Sequence, residues 1–235
     1  MQNKWSEYAN LRRIQIETGK DITFNKVFIP MFNKYINFIK PDSALEVGSG
    51  TGHMSKELIS TGIKITAIEP SIGMYKVAEK VLQETNVVLK NIEIDKLPVD
   101  YKYDLVFSHL VVQCVKSFEQ FLKSISKHLK HGGCFLFTIP HPCFFNEYKK
   151  VHDLNHNYML PLGVEISFNI SLDTENTISG VPYNHRPLSY YLNSIINAGF
   201  LIEEFIEVYP EYDIQKLYGT AWEKPRYCLF KCNFK

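Results

Sequence analysis

The chain has 235 residues, enough for one large α/β domain with a sizeable buried core. Hydrophobic residues make up 45%, charged residues 22%, and the formal net charge is +1, so no overall electrostatic footprint points to nucleic acid or a membrane surface. The opening MQNKWSEYANLRR lacks the apolar core of a secretory signal, no run approaches membrane-span length, and five scattered cysteines argue against a disulfide framework; the expected location is cytoplasmic.

Residues 1–40 read as an N-terminal helical cap. From Thr23 to Ile39, Val27, Phe28, Met31, Phe32, Tyr35, Ile36 and Ile39 recur at helical spacing, with Pro30 expected to kink or divide the helix. Element types then alternate. Ser43–Val47 reads as a short buried strand, Thr51–Ser60 as a helix after a glycine turn, and Lys64–Ile68 as a β-branched strand. Met74, Ala78, Val81 and Leu82 share a helical face; Val87–Ile92 and Asp104–Ser108 are strand-like. Phe118, Phe121, Leu122, Ile125 and Leu129 form another helical stripe, which Gly132-Gly133 is expected to stop before a strand over Cys134–Ile139. Residues 141–163 look like an extended loop. Alternation at Val164, Ile166, Phe168 and Ile170 gives a half-buried strand, and 141–186 as a whole reads as an insertion, or lid, after the fifth strand. A helix carrying Leu188, Tyr191, Leu192 and Ile195 ends at Gly199, and Phe200–Val208 and Arg226–Phe234 close the chain as strands.

Such alternation implies a doubly wound, mostly parallel sheet with helices on both faces. Ligands of these sheets bind at the carboxyl ends of the strands. That rule selects Glu46–Gly52, Glu69, Glu93, Ser108, His109, Pro140 and His141. Within Glu46-Val47-Gly48-Ser49-Gly50-Thr51-Gly52 the glycines allow a tight turn between strand and helix, expected to place backbone N–H groups beside a ligand. A dinucleotide fingerprint requires G-x-G-x-x-G; here the third glycine comes one position early and His53 follows. Glu69, in Ile68-Glu69-Pro70-Ser71, is a carboxylate able to accept two hydroxyl protons of a ribose.

The glycine loop, Ile68–Ser71 with Met74, Glu93-Ile94 before Leu97-Pro98, the run Tyr103–Ser108 and the turn Leu129–Gly133 occur in order and spacing. Together they resemble the class I S-adenosylmethionine (SAM)-dependent methyltransferases, in the small-molecule branch called the methyltransferase type 11 group. The resemblance runs from about Ser43 to Phe144. It implies a single Rossmann-like domain over 1–235 with a seven-stranded sheet, SAM as cofactor and S-adenosylhomocysteine as product. It places Glu46, Gly48, Ser49, Gly50 and Gly52 on the methionine part of SAM, Glu69, Pro70 and Met74 at the ribose side, Glu93 and Ile94 on the adenine edge, and Ser108 and His109 at the end of the fourth strand. Glu46 stands where Asp is more usual. The implied function is methyl transfer to an oxygen or nitrogen of a small-molecule acceptor, with no nucleic acid or membrane partner, by a monomer or homodimer. The alternatives are a tRNA or protein methyltransferase, against which stand the lack of a basic arm and of an N-P-P-Y-type motif after the fourth strand, and a non-catalytic SAM-binding protein.

Methyl transfer from a sulfonium needs a base only if the nucleophile must lose a proton. His141, beyond the fifth strand, and His185, in Tyr183–Ser189, are candidate catalytic bases; bracing of the lid is the equal alternative for each. Arg186 reads first as a helix-start contact, His152 and His156 as solvated loop residues, and Trp5 and Tyr8 as packed cap residues, although Tyr8, Arg12 or Arg13 could reach the donor. His128, His131, Cys134, His141 and Cys143 have superficial ligand spacing but no paired C-x-x-C, so no metal is expected.

Overall fold

The computed structural model describes residues 4–153 and 155–235, grouped in two compact units. The first comprises Met1–Glu93, Asn169–Ile178 and Pro210–Ala221. Its helix α1 (Ala9–Glu17) leads into a π-helix at Thr23–Phe28 and then α2 (Ile29–Ile39). Pro30 falls in the first turn of α2, where its missing N–H is no loss, so it divides the apolar stripe rather than bending one helix. Strand β1 (Ser43–Val47), α3 (His53–Leu58), β2 (Lys64–Ile68), α4 (Ile72–Leu82) and β3 (Val88–Lys90) follow. Strand β2 pairs in parallel with both β1 and β3. Ala44, Leu45, Ala67 and Ile68 are fully buried, as strands covered on both faces require.

The second unit comprises Ile94–Phe168, Ser179–Tyr209 and Trp222–Lys235. It starts with β4 (Tyr103–His109), α5 (Phe118–His128), β5 (Leu129–Pro140) and α6 (Phe145–Lys149). Helix α5 is capped by Ser117, whose hydroxyl accepts the Gln120 N–H, with Glu119 in its first turn and Lys127 and His128 in its last. Its buried Phe118 lies 5.8 Å from Phe137. Phe137 in turn stacks on Phe135 and Phe230 at 4.6 and 4.8 Å, giving the unit an aromatic core. Strands β6 (Leu162–Ile170) and β7 (Asp173–His185) form a separate hairpin; α7 (Leu188–Asn197), β8 (Phe200–Val208) and β9 (Tyr227–Phe234) complete the chain. The main sheet has seven strands in the order β3-β2-β1-β4-β5-β9-β8. The β4–β5 pair is parallel; β9 is antiparallel to β5 and β8. Near β9, buried Trp222 has the Arg226 guanidinium 4.2 Å above its ring, with Tyr148 3.8 Å from the same guanidinium.

Three elements depart from expectation. Helix α5 stops at His128, and Leu129 already pairs with Tyr103; Gly132, at φ +74°, turns within an irregular start of β5 instead of ending the helix. Lys130 pins that start through a 2.7 Å ion pair to Asp104. Residues 141–163 contain α6 rather than loop alone, and β7 has no forecast, because DTENTISGVPYNH is poor in strand formers and carries Pro182.

The tip of the hairpin, Asn169–Ile178, belongs to the first unit. It is fastened to the N-terminal cap within that unit. Buried Asp173 accepts hydrogen bonds from Gln15 at 2.8 Å and Lys20 at 3.1 Å, and the Leu172 N–H donates to the Lys20 carbonyl at 3.1 Å.

Candidate functional site

In the first unit, the chain leaves β1 through Gly48, Gly50 and Gly52, all at positive φ. The turn folds back on β2. The N–H groups of Gly48 and Ser49 both donate to the Ile68 carbonyl, at 2.9 and 3.0 Å. The Gly50 N–H donates to Glu69 Oε2 at 2.8 Å, and Gly52 N–H to the Ser49 carbonyl at 2.9 Å. These N–H groups are therefore engaged by the protein itself, contrary to the expectation that they face the ligand. A phosphate-binding loop needs such donors free; this one pairs its donors internally and brings carboxylates instead.

Two of those carboxylates are buried. Glu46 at the end of β1 accepts from Ser55 Oγ on α3. Burial, opposed by that hydrogen bond and reinforced by the nearby Glu69 charge, pushes the Glu46 carboxyl up to about 8. Glu69 accepts the Ser71 N–H at 2.7 Å on its other oxygen, while burial raises its pKa against these two backbone bonds. Asn91 donates to the Glu69 carbonyl at 2.7 Å. Ser55 and Asn91 were not singled out by the sequence, and Ser71 entered only as the end of the Ile68–Ser71 motif; each is a common polar residue whose contacts emerge only in the fold.

The turn also tests its fitness for a ligand. Ser49 Oγ is buried without a hydrogen-bond partner, and a side chain added at Gly50 would enter open space. Gly52 has a different reason to be glycine: an added Cβ would stand 3.0 Å from Leu82 Cδ1 and 3.2 Å from Ala78 Cβ, at φ +80°. His53 takes Thr51 Oγ1 at 2.9 Å and faces Glu17 at 3.4 Å; burial lowers its pKa. Pro70 and Glu93 are exposed in this unit. Met74 is buried in a cluster with Ala9 and Val77, against which Trp5 packs, so both Met74 and Trp5 present themselves as core. Arg12 is held by Asp21 at 2.6 Å, and Arg13 by Glu17 at 3.0 Å.

In the second unit, Ile94 is buried at the start of a short 3₁₀ turn and Ser108 is fully buried in β4. His109 Nδ1 bonds Thr138 Oγ1 at 2.8 Å. The next residue, Leu110, sits at φ +51°, a strained conformation for a branched side chain, and its N–H is shared between the Thr138 hydroxyl and carbonyl, each at 3.2 Å. Neither Leu110 nor Thr138 carries a sequence signal.

Both candidate histidines are buried in the same unit. His141 Nδ1 accepts the Cys143 N–H at 3.1 Å, which fixes the tautomer in which Nε2–H donates to Glu207 at 2.8 Å. Its lone pair is thus occupied. His185 Nε2 donates to the Tyr158 carbonyl at 2.8 Å, and burial lowers its pKa. His152 and His156, expected in solvent, instead form a three-imidazole cluster with His185, ring centres 5.3–5.5 Å apart. Arg186 is buried and donates to the carbonyls of Val112, Val115 and Lys116, a bracing contact. Among the described residues no group of His, Cys, Asp or Glu is placed to hold a metal ion, and no helix is long and apolar enough to cross a membrane.

A family model described as a methyltransferase domain matches residues 45–137. The malonyl-[acyl-carrier protein] O-methyltransferase of Priestia megaterium is 35% identical over 105 residues, covering 43% of this chain and 38% of the relative. The ubiquinone biosynthesis O-methyltransferase of Rickettsia conorii is 27% identical over 135 residues, covering 57% and 46%. The chain thus matches less than half the length of these curated relatives. A SAM-dependent methyltransferase structure from Clostridium acetobutylicum has the same fold, with a TM-score of 0.67, 16% identity and 99% of both chains covered. Residues 45–137 thus match a methyltransferase domain, and the seven-stranded sheet has the fold of SAM-dependent methyltransferase structures.

Proposed function

We propose that this chain transfers a methyl group from SAM to an oxygen or nitrogen of a small-molecule acceptor. The observation that carries the reading is the glycine turn whose N–H groups are turned onto Ile68 and Glu69 while Glu46 and Glu69 are buried beside it. Such a turn has spent these donors and so offers few to the phosphates of a dinucleotide, while its carboxyl groups suit a donor with a ribose. SAM supplies the activated methyl group. Glu69 would hold the ribose hydroxyls, retaining acceptor capacity beyond its two backbone bonds, and Ser49 Oγ would gain a partner. Glu46 would face the methionine part, and Glu93 and Ile94 the adenine.

Oxygen is the favoured receiving atom, a reading supported by the names of two relatives, both O-methyltransferases. With the His141 lone pair occupied, His185 is the better candidate for a base, since its lowered pKa keeps it neutral near pH 7. For an acceptor that is already anionic, alignment and exclusion of water suffice. Isothermal titration tests the donor: SAM and S-adenosylhomocysteine should bind at micromolar order and NAD should not. Preferential binding of NAD would overturn the reading.

A further inference from the structure

We propose that Ser6 is a positioning residue for the donor site, acting through Ser71 on Glu69, and that Gly73 is glycine so that the N-terminal segment can cross the start of α4. The inference rests on the SAM reading for its ligand but on independent geometry for its mechanism.

Ser6 Oγ lies 2.8 Å from Ser71 Oγ and accepts the Gly73 N–H at 3.1 Å. Ser71 donates its own N–H to Glu69 Oε1, and Glu69 Oε2 takes the Gly50 N–H. A continuous hydrogen-bonded path therefore runs from the sixth residue to the glycine turn. Ser6 is held over α4 by packing: Trp5 and Ala9, on either side of it in sequence, lie against Met74 and Val77.

Glycine inside a helix is unfavourable without a reason. At Gly73 the reason is contact, because an added Cβ would stand 2.4 Å from the Ser6 carbonyl oxygen and 2.6 Å from Ser6 Cα. Those atoms are backbone and cannot rotate aside. Gly73→Ala thus lifts the segment off α4 without touching Glu69, while Ser6→Ala leaves the segment in place and removes only the hydroxyl. The two variants separate the crossing from the hydrogen bond.

The test uses the full chain, with S-adenosylhomocysteine as the probe in titration calorimetry and amide hydrogen exchange at Gly50 as a second readout. Loss of one hydrogen bond from the path should weaken binding by roughly fivefold or more. Ser6→Ala should show that loss together with faster exchange at Gly50, while exchange in β4 and β5 stays unchanged. Ser6→Thr, which keeps the hydroxyl, should restore both, and Gly73→Ala should match or exceed Ser6→Ala. Affinity within about twofold of the parent in both Ser6→Ala and Gly73→Ala would overturn the proposal, as would unchanged Gly50 exchange. A parent protein that binds no S-adenosylhomocysteine refutes the donor reading instead, and the Gly50 exchange comparison still decides the role of Ser6.

Discussion

Glu46→Gln isolates the energetic consequence of placing a carboxyl at the end of β1. The parent side chain is buried, and its pKa rises from the ordinary 4.5 to about 8, first through desolvation, with Ser55 opposing and Glu69 adding. Because the folded value is the higher one, its contribution to stability is complete below about pH 4.5 and is lost as pH rises through about 8. At pH 7 the fold must keep a proton that the unfolded chain releases. Glutamine has nearly the same shape, keeps an oxygen for Ser55 and does not titrate; any mismatch of its amide adds an offset independent of pH. The unfolding free energy of the variant minus that of the parent should therefore widen by roughly 3 kcal/mol between about pH 5 and about pH 8. Urea unfolding across that interval measures it. A difference that stays flat with pH would show that Glu46 ionises freely in the fold, and the desolvation argument would fail.

Glu69→Ala removes the acceptor assigned to the ribose; at about 1.5–3 kcal/mol per charge-assisted bond, donor affinity should fall at least tenfold, and an unchanged dissociation constant would place the ribose elsewhere. Gly52→Ala forces a Cβ against Leu82 and Ala78 at positive φ and should destabilise by about 1–3 kcal/mol in urea unfolding, whereas a neutral result would mean that α4 yields easily. His185 has a lowered folded pKa, so its contribution is complete above about pH 6.5 and is lost as pH falls, when the unfolded chain takes up a proton first; His185→Asn should reduce the drop in melting temperature on acidification from about pH 7 to 5, and an equal drop would count against the burial of the ring. His141→Ala leaves the Cys143 N–H and Glu207 without their partner, so it should lower stability while S-adenosylhomocysteine affinity holds; a weakened affinity would instead tie His141 to the donor.

The strands and helices that carry the family motifs were legible because their signals are local. Ser43–Val47 and Lys64–Ile68 are near-continuous apolar runs, and both coincide with strands. Glu46 and Glu69 follow from their places at strand ends. What stayed hidden depends on contacts made at long sequence separation. The N–H groups of the glycine turn looked available because sequence alone does not reveal that the Ile68 carbonyl lies beneath two of them. Strand β7 is stabilised by pairing with β6 and by anchoring of Asp173 rather than by its own propensity. Likewise, His152 and His156 look like polar loop residues until His185, about thirty residues on, is brought against both of them.

The distribution of the chain's two tryptophans gives it an intrinsic optical reporter. Trp5 belongs to the first unit, packed against the cluster of Ala9, Met74 and Val77 by the segment that also carries Ser6. Trp222 belongs to the second, buried against the Arg226 guanidinium. Each unit thus carries a single indole in its own environment, one half-buried near a thioether and one enclosed beneath a cation. With Trp5→Phe and Trp222→Phe, emission during unfolding can be followed from one unit at a time, without any attached dye. Superimposable curves would mean that both units lose their packing in one cooperative event, while separated midpoints would resolve the order in which they come apart.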